Sequence, residues 1–228
     1  MSNKDVQALF DHVVHIGHRS QKWNPKMKKY LYGEKGGIHI INLEKTLDCL
    51  NKALDFLSKV TAEGKIVLFV STKPQSLKVV EDVATSVSMP YVVSRWIPGL
   101  LTNFSTLKTR IKYLQNLKEQ EASGEFDKYT KKEASNLKKT IEKLQLSLGG
   151  VSNMMDLPDV VFVVDVVRDK IAVEEARKIK IPVVALVDSN ADPNMVDYPI
   201  PANDDALKSL IYMLGKVGEC LHKSRNKR

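Results

Sequence analysis

Three five-residue apolar runs, Ile66–Val70, Val160–Val164 and Val183–Val187, set the frame of this chain. Each is rich in β-branched side chains and bounded by turn residues. Such runs predict strands covered on both faces, as in a parallel sheet. Ile38–Ile41 and Tyr91–Val93 predict two further strands. Tyr198–Ile200 predicts a short edge strand, where Pro199 is tolerable. Helical periods follow the strands. Leu43, Leu47, Leu50, Leu54 and Leu57 recur at spacings of 4, 3, 4 and 3 behind a capping Asn42 and predict a helix to about Lys59. Pro74 suits the first turn of a second helix, and Ile171–Lys178 predicts a third. Asn203, Asp204 and Asp205 precede a last helix that runs to about His222, with acids at its positive end. The alternation predicts an α/β domain with parallel strands.

Residues 104–148 break that alternation. Phe104, Leu107, Ile111, Leu114 and Leu117 recur at helical spacing, Ser123-Gly124 interrupts, and Leu137, Ile141, Leu144 and Leu148 resume. Thr130-Lys131-Lys132-Glu133 is a capping box for the second run. Two such helices joined by a polar turn predict an antiparallel coiled-coil hairpin that projects from the sheet and buries only its own seam. The expected organisation is an α/β domain of residues 1–103 and 149–222, an inserted hairpin of 104–148, and a basic tail of 223–228, mobile until it meets an anion.

Charge then narrows the function. The 228 residues carry 35 Lys plus Arg against 27 Asp plus Glu, a net +8, which points to a polyanionic partner. The cations concentrate in Gly17–Tyr30, which holds five of them, a Trp and a Tyr, and no carboxylate. Arg19, Lys22, Lys26, Lys28 and Lys29 suit phosphates, and Trp23 and Tyr30 offer faces for stacking. Arg95 and Trp96 look like a second contact of the same kind, with core packing the alternative for Trp96. Lys73, with Ser71 and Thr72, could form an anion site at a helix start, or simply cap it. No apolar run approaches the ~18 residues a membrane span needs, and no secretory leader is readable. Cys49 and Cys220 match no ligand spacing and suit reduced thiols in a cytoplasmic setting.

Enzymatic equipment is sparse. Neither a dinucleotide glycine fingerprint nor a Walker-type phosphate loop is present, and no cofactor is implied. Asp165 and Asp188 end strands, at the edge where open parallel sheets bind ligands. With Ser71 they define the alternative reading, an α/β enzyme or small-molecule binder, but they equally suit turns and caps. His12, His15 and His18, three apart, could meet as metal ligands on one helical turn, although Gly17 weakens a helix there.

Several motifs carry a resemblance. His15-Ile16-Gly17-His18 with Trp23-Asn24-Pro25-Lys26-Met27, Gly37–Thr46, Arg95-Trp96, Leu101-Thr102-Asn103, Phe126-Asp127-Lys128, Leu148-Gly149-Gly150 and Ile200–Ala206 resemble, in order, the bacterial-type ribosomal small-subunit protein S-two family. Ser94 and Pro98 depart from its common pattern around Arg95-Trp96. The resemblance implies a Rossmann-like or flavodoxin-like sheet with a coiled-coil insertion, and a non-enzymatic role in the small ribosomal subunit. It implies contact with small-subunit ribosomal RNA between head and body, neighbouring subunit proteins as partners, and support for docking of ribosomal protein S-one. Asn24 and Asn103 lie in matched motifs and join the RNA-binding candidates. An organellar source is compatible with the same motifs.

Overall fold

The computed structural model describes residues 3–225. The chain opens with helix α1 (Asn3–Asp11), strand β1 (Ile16–Arg19), two 3-10 turns (Ser20–Lys22 and Pro25–Tyr30), β2 (Leu31–Lys35) and β3 (Ile38–Ile41). The three strands form an antiparallel sheet in the order β1-β3-β2. Ile38–Ile41 is therefore a strand, as its residues predict, but not of the parallel sheet. The reason is local: Gly36 and Gly37 both adopt positive φ, +60° and +75°, and close a two-residue hairpin that only antiparallel strands can share.

Helix α2 (Leu43–Ala62) follows, then β4 (Val67–Val70), α3 (Leu77–Ser86), β5 (Tyr91–Val92), α4 (Phe104–Ala122), α5 (Lys131–Leu148), β6 (Val160–Val163), α6 (Lys170–Lys178), β7 (Val183–Val187), β8 (Tyr198–Pro201) and α7 (Leu207–Arg225). Strands β4 to β8 make one fully parallel sheet, ordered β5-β4-β6-β7-β8. The order reverses at β4, which is the flavodoxin-like arrangement. Alternate residues face opposite layers. Val67, Phe69, Val160, Phe162, Val184 and Leu186 pack against α2, α3 and α7. Leu68, Val70, Val161, Val163, Ala185 and Val187 face α6 and the long helices.

Local chemistry explains most boundaries. Asn42 caps α2 by accepting from the N–H groups of Glu44 and Lys45 at 3.0 and 3.2 Å. Thr130 and Glu133 form the capping box of α5. Pro74 stands in a turn, not in a helix. The Ser76 N–H returns to the Lys73 carbonyl there, and α3 starts only at Leu77. The expected loose tail is also corrected as far as Arg225. Helix α7 continues to that residue, the Ser224 hydroxyl lies 2.8 Å from that of Ser58, and Arg225 donates to the Val87 carbonyl. Residues 226–228 lie outside the described residues.

Helices α4 and α5 run antiparallel. Lys118 bonds Gln145 and Lys138 pairs with Glu121, so position falls on one helix as it rises on the other. Their seam residues Leu107, Ile111, Leu114, Leu117, Ile141 and Leu148 belong to the same contiguous buried cluster as one face of the sheet. The hairpin thus shares apolar surface with the sheet as well as within itself. Gly150 fixes its return: a Cβ there would stand 2.2 Å from the Tyr91 carbonyl oxygen.

One carboxylate holds the segment between β5 and α4. Glu175, buried on α6, accepts from Trp96 Nε1 (3.1 Å), the N–H groups of Gly99 (2.7 Å), Leu101 (3.1 Å) and Thr102 (3.2 Å), and the Thr102 hydroxyl (3.3 Å). Burial acts to raise the Glu175 pKa, but these donors outweigh it and hold it below the usual 4.5. A depressed carboxylate stabilises the fold above its unfolded pKa, and that contribution is lost as pH falls through the folded value. Replacing Glu175 with Gln removes the charge that five donors share, so it should destabilise by about 2–3 kcal/mol at neutral pH. Denaturant melts should show this gap constant down to about pH 4.5 and closing below it. The shared core gives a second prediction. Gly150→Ala should lower the melting temperature by several degrees, about the effect of 1–2 kcal/mol. Gly33→Ala, with open space around it, should leave it nearly unchanged.

Candidate nucleic-acid interface

The basic segment is ordered by contacts with the carboxyl edge of the parallel sheet. Gly17 lies so close to Ser189 that a Cβ would come within 2.8 Å of its hydroxyl. That approach lets the His18 N–H donate to Ser189 Oγ at 2.8 Å and the Asn24 N–H to the Ser189 carbonyl at 2.8 Å. Asn203 ties down the preceding residues: its N–H donates to the Val14 carbonyl and its side-chain amide to that of Ile16. The Asn24 side chain accepts from the Lys26 N–H and starts the Pro25–Tyr30 turn, whose Met27 is fully buried. A hydrophobic plug and a cap thus shape a segment that shows no regular period.

The anchored segment holds its cations outward. Arg19, Lys22, Lys26, Lys28 and Lys29 are all exposed. Lys26 is engaged, with its Nζ 2.6 Å from Asp192, whose pKa lies below the usual value in spite of burial because of that pair. The Lys29 ammonium lies 4.9 Å from the centre of the Tyr30 ring, and Tyr30 is half-buried against the core. Trp23 is half-buried and tilted on His39 with ring centres 4.9 Å apart, so one side of it is taken. Asn24 serves the backbone, as described.

The second group divides. Arg95 is exposed. Trp96 is not a stacking surface: it is 5% exposed, inside the core, with its indole N–H on Glu175. Its flat face was read from composition, while the burial comes from the Glu175-centred loop. Asn103 is exposed but accepts from the hydroxyls of Ser105 (3.5 Å) and Thr106 (2.9 Å) at the start of α4.

Lys73 departs furthest from expectation. It is buried, with its ammonium 2.6 Å from Asp205, 2.7 Å from Asp204 and 3.3 Å from Asp165. Burial works to lower its pKa, but these carboxylates reverse the direction and raise it. A cation so surrounded serves the interior and offers nothing to a phosphate. Asp204 is pushed up to about 7 by burial and by Asp188 and Asp165, against the pull of Lys73.

Ser71, Asp165 and Asp188 of the alternative site are equally engaged. The Ser71 and Ser76 hydroxyls share a buried hydrogen bond, and Asp165 accepts from the N–H groups of Val167 and Arg168 at 2.9 Å. Asp188 lies 3.1 Å from His18 Nδ1 and accepts from the Ser189 N–H. Asp169 supports the same edge by accepting from the Thr72 N–H and hydroxyl.

The three histidines do not converge. His12 follows α1, with its ring nitrogen 2.7 Å from the Ala8 carbonyl and its ring stacked on Tyr212. His15 stacks on Phe10, and burial lowers its pKa. His18 alone reaches the acidic edge, because β1 is a strand and not the helical turn that would gather all three. Its pKa is raised, chiefly by Asp188. The partners that sequence reading left unassigned to it are Asp204 and Asp205. The Asn-Asp-Asp run was the available signal, but it also reads as helix-start chemistry. Asn203 does play that part, accepting from the N–H groups of Asp205 and Ala206.

Among the described residues no helix is long and apolar enough to cross a membrane. The profile described as Ribosomal protein S2 matches residues 9–224. The small ribosomal subunit protein uS2 of Campylobacter concisus is 46% identical over 221 residues, covering 97% of this chain and 84% of that protein. That of Helicobacter hepaticus is likewise 46% identical, with the same coverage. That of Dehalococcoides mccartyi is 41% identical, covering 99% of this chain and 92% of that protein. The ordered motifs, the parallel sheet with its helical insertion and this nearly full-length similarity agree: the chain belongs to the ribosomal protein S2 family.

Proposed function

We propose that this protein is a structural constituent of the small ribosomal subunit that works by adhesion and catalyses no reaction. It binds small-subunit ribosomal RNA between head and body and supports assembly. The observation that carries the RNA contact is the anchored basic segment: five exposed cations on a backbone fixed to the sheet edge. A pinned segment loses less conformational freedom on binding than a floppy one. Lys22, Lys28, Lys29, Arg19 and Arg95 neutralise phosphates, and the side of Trp23 away from His39 supplies stacking. Recognition by shape and backbone follows from that inventory.

The helical hairpin serves neighbouring proteins, including docking of ribosomal protein S-one. Tyr113, Tyr129 and Leu146 support this reading, being 49%, 48% and 72% exposed on its surface. The rival reading, an α/β enzyme using Ser71, Asp165 and Asp188, has less support, since each of these groups already holds the fold together.

Reversing Lys22, Lys28 and Lys29 to Glu should leave the melting temperature within a few degrees of the parent. Incorporation into small subunits should fall sharply in a reconstitution followed by sedimentation. The salt dependence of RNA binding should flatten by about two to three units of slope, roughly one per phosphate contact. Unchanged incorporation would remove the basic segment from the interface. A second variant isolates the hairpin. Replacing residues 119–143 with a short Gly-Ser linker keeps the buried Leu107, Ile111, Leu114 and Leu117. It should stay folded and bind RNA as before while losing a protein neighbour in the assembled subunit.

A further inference from the structure

We propose that the cleft between α2 and the edge strand β8 receives one unpaired nucleotide of an RNA strand, its base against the aromatic wall and its phosphates on the flanking lysines. The proposal rests on the reading of this protein as RNA-binding and extends the contact beyond the basic segment. The cleft encloses about 510 Å³, within the ~300–1,000 Å³ range of ligand pockets.

Three features point to a nucleotide. The first is the wall. Phe56 of α2 and Tyr198 of β8 both line the cleft and stack, with ring centres 4.2 Å apart and planes 14° apart. Both rings are only half-buried, so the pair keeps apolar area in contact with water. Flat rings hold any base through its faces.

The second is charge. Cys49, Lys52, Phe56 and Lys59 line the cleft at spacings of 3, 4 and 3 along α2, so two ammonium groups flank the ring on one stripe of the helix. Burial raises the Cys49 pKa, and Lys52 and Lys29 pull against it, which brings a third ammonium to this place. Asp55 and Asp197 stand in the same cleft. Their carboxylates oppose a bare phosphate there, but they can accept from the exocyclic amino group of a base. The exposed lysines take the phosphates. An arginine side chain also suits aromatic rings beside carboxylates, but three ammonium groups oppose its entry.

The third is continuity with the basic segment. Tyr30 ends that segment and lines the cleft, and the Lys29 ammonium lies 4.9 Å from the centre of its ring. Lys45 of α2 donates to the Lys29 carbonyl, which fixes the segment beside the helix. A strand whose phosphates follow Lys28 and Lys29 is thereby led to the cleft.

Titration of the full-length protein with transcribed small-subunit ribosomal RNA tests this, with ultraviolet cross-links in the complex mapped by mass spectrometry. A nucleotide adduct is expected on Phe56 or Tyr198. Phe56→Leu should weaken binding about tenfold, as for the loss of one stacked base, and leave the salt slope unchanged. Phe56→Tyr should retain the affinity. Lys52→Gln with Lys59→Gln should instead flatten the slope by about one to two units. Polycytidylate should compete better than polyuridylate, because uracil has no amino group. If Phe56→Leu fails to fold, the lysine pair and the adducts carry the comparison. The proposal is overturned if Phe56→Leu binds as tightly as the parent and adducts are confined to residues 17–30, a result that leaves the basic segment in the interface. Cross-links from Lys52 or Lys59 to a neighbouring protein, without a nucleotide adduct, overturn it as well. So does free cytidine monophosphate that binds as tightly as the strand. A parent that binds no RNA at all overturns the RNA reading itself.

Discussion

The constraint on which the rest depends is the burial of Lys73 among carboxylates at the carboxyl edge of the parallel sheet. The ammonium is within 3.3 Å of Asp165, Asp204 and Asp205, residues that follow β6 and β8. Removing such charges from water is costly, so the group persists only with good geometry and satisfied lone pairs. The supply of partners comes from the loops after β4, β6 and β7: Thr72 meets Asp169, Asp165 holds the Val167 and Arg168 amides, and Asp188 faces His18. In a doubly wound sheet this edge ordinarily receives a ligand. Here the chain's own β1 and the residues after it pack against it, through Ser189 and Asn203.

The same physics acts on the opposite layer in a different form. Glu175 gathers donors from Trp96 to Thr102 and turns an irregular stretch into a fixed connection between β5 and α4. The hairpin begins two residues after that stretch, so its direction is set by a carboxylate on α6 as well as by its own leucines. Gly150 closes the return beside the Tyr91 carbonyl. The two ends of the insertion thus rest on different elements, one on α6 through hydrogen bonds and one on β5 through close backbone approach.

What the sequence disclosed follows from this division. Strand β7 reads directly as Val183–Val187, and β6 within one residue, because a run buried on both faces needs no tertiary information. The Asn42 cap and the Thr130–Glu133 box are local and equally legible. Of the β1–β3–β2 sheet only β3 was legible, since β1 is short and largely unburied and β2 is almost wholly exposed. Trp96 and Lys73 misled for one reason: a large aromatic and a cation look like binding groups until a buried carboxylate from a distant element claims them. Glu175 lies 79 residues from Trp96, and Asp204 lies 131 residues from Lys73. Composition reports the presence of such groups but not their pairing.

Pairing also explains why an acidic edge and a basic exterior belong to one design. Asp188 and Asp192 flank the Ser189 that anchors the basic segment, and Asp192 draws Lys26 inward at 2.6 Å. One lysine is thereby used to fasten the segment, and Lys22, Lys28 and Lys29 stay exposed on the backbone it fastens. Local order comes from attraction to carboxylates within 4 Å, where low dielectric strengthens it. Attraction to a polyanion acts over about 10 Å and is screened by salt. The two do not compete, because Asp165, Asp204, Asp205 and Asp192 are engaged at short range by Lys73 and Lys26, leaving the net charge of +8 to act outward. A sheet edge that receives a ligand in other doubly wound folds becomes, by this separation of ranges, the footing of an exposed basic surface.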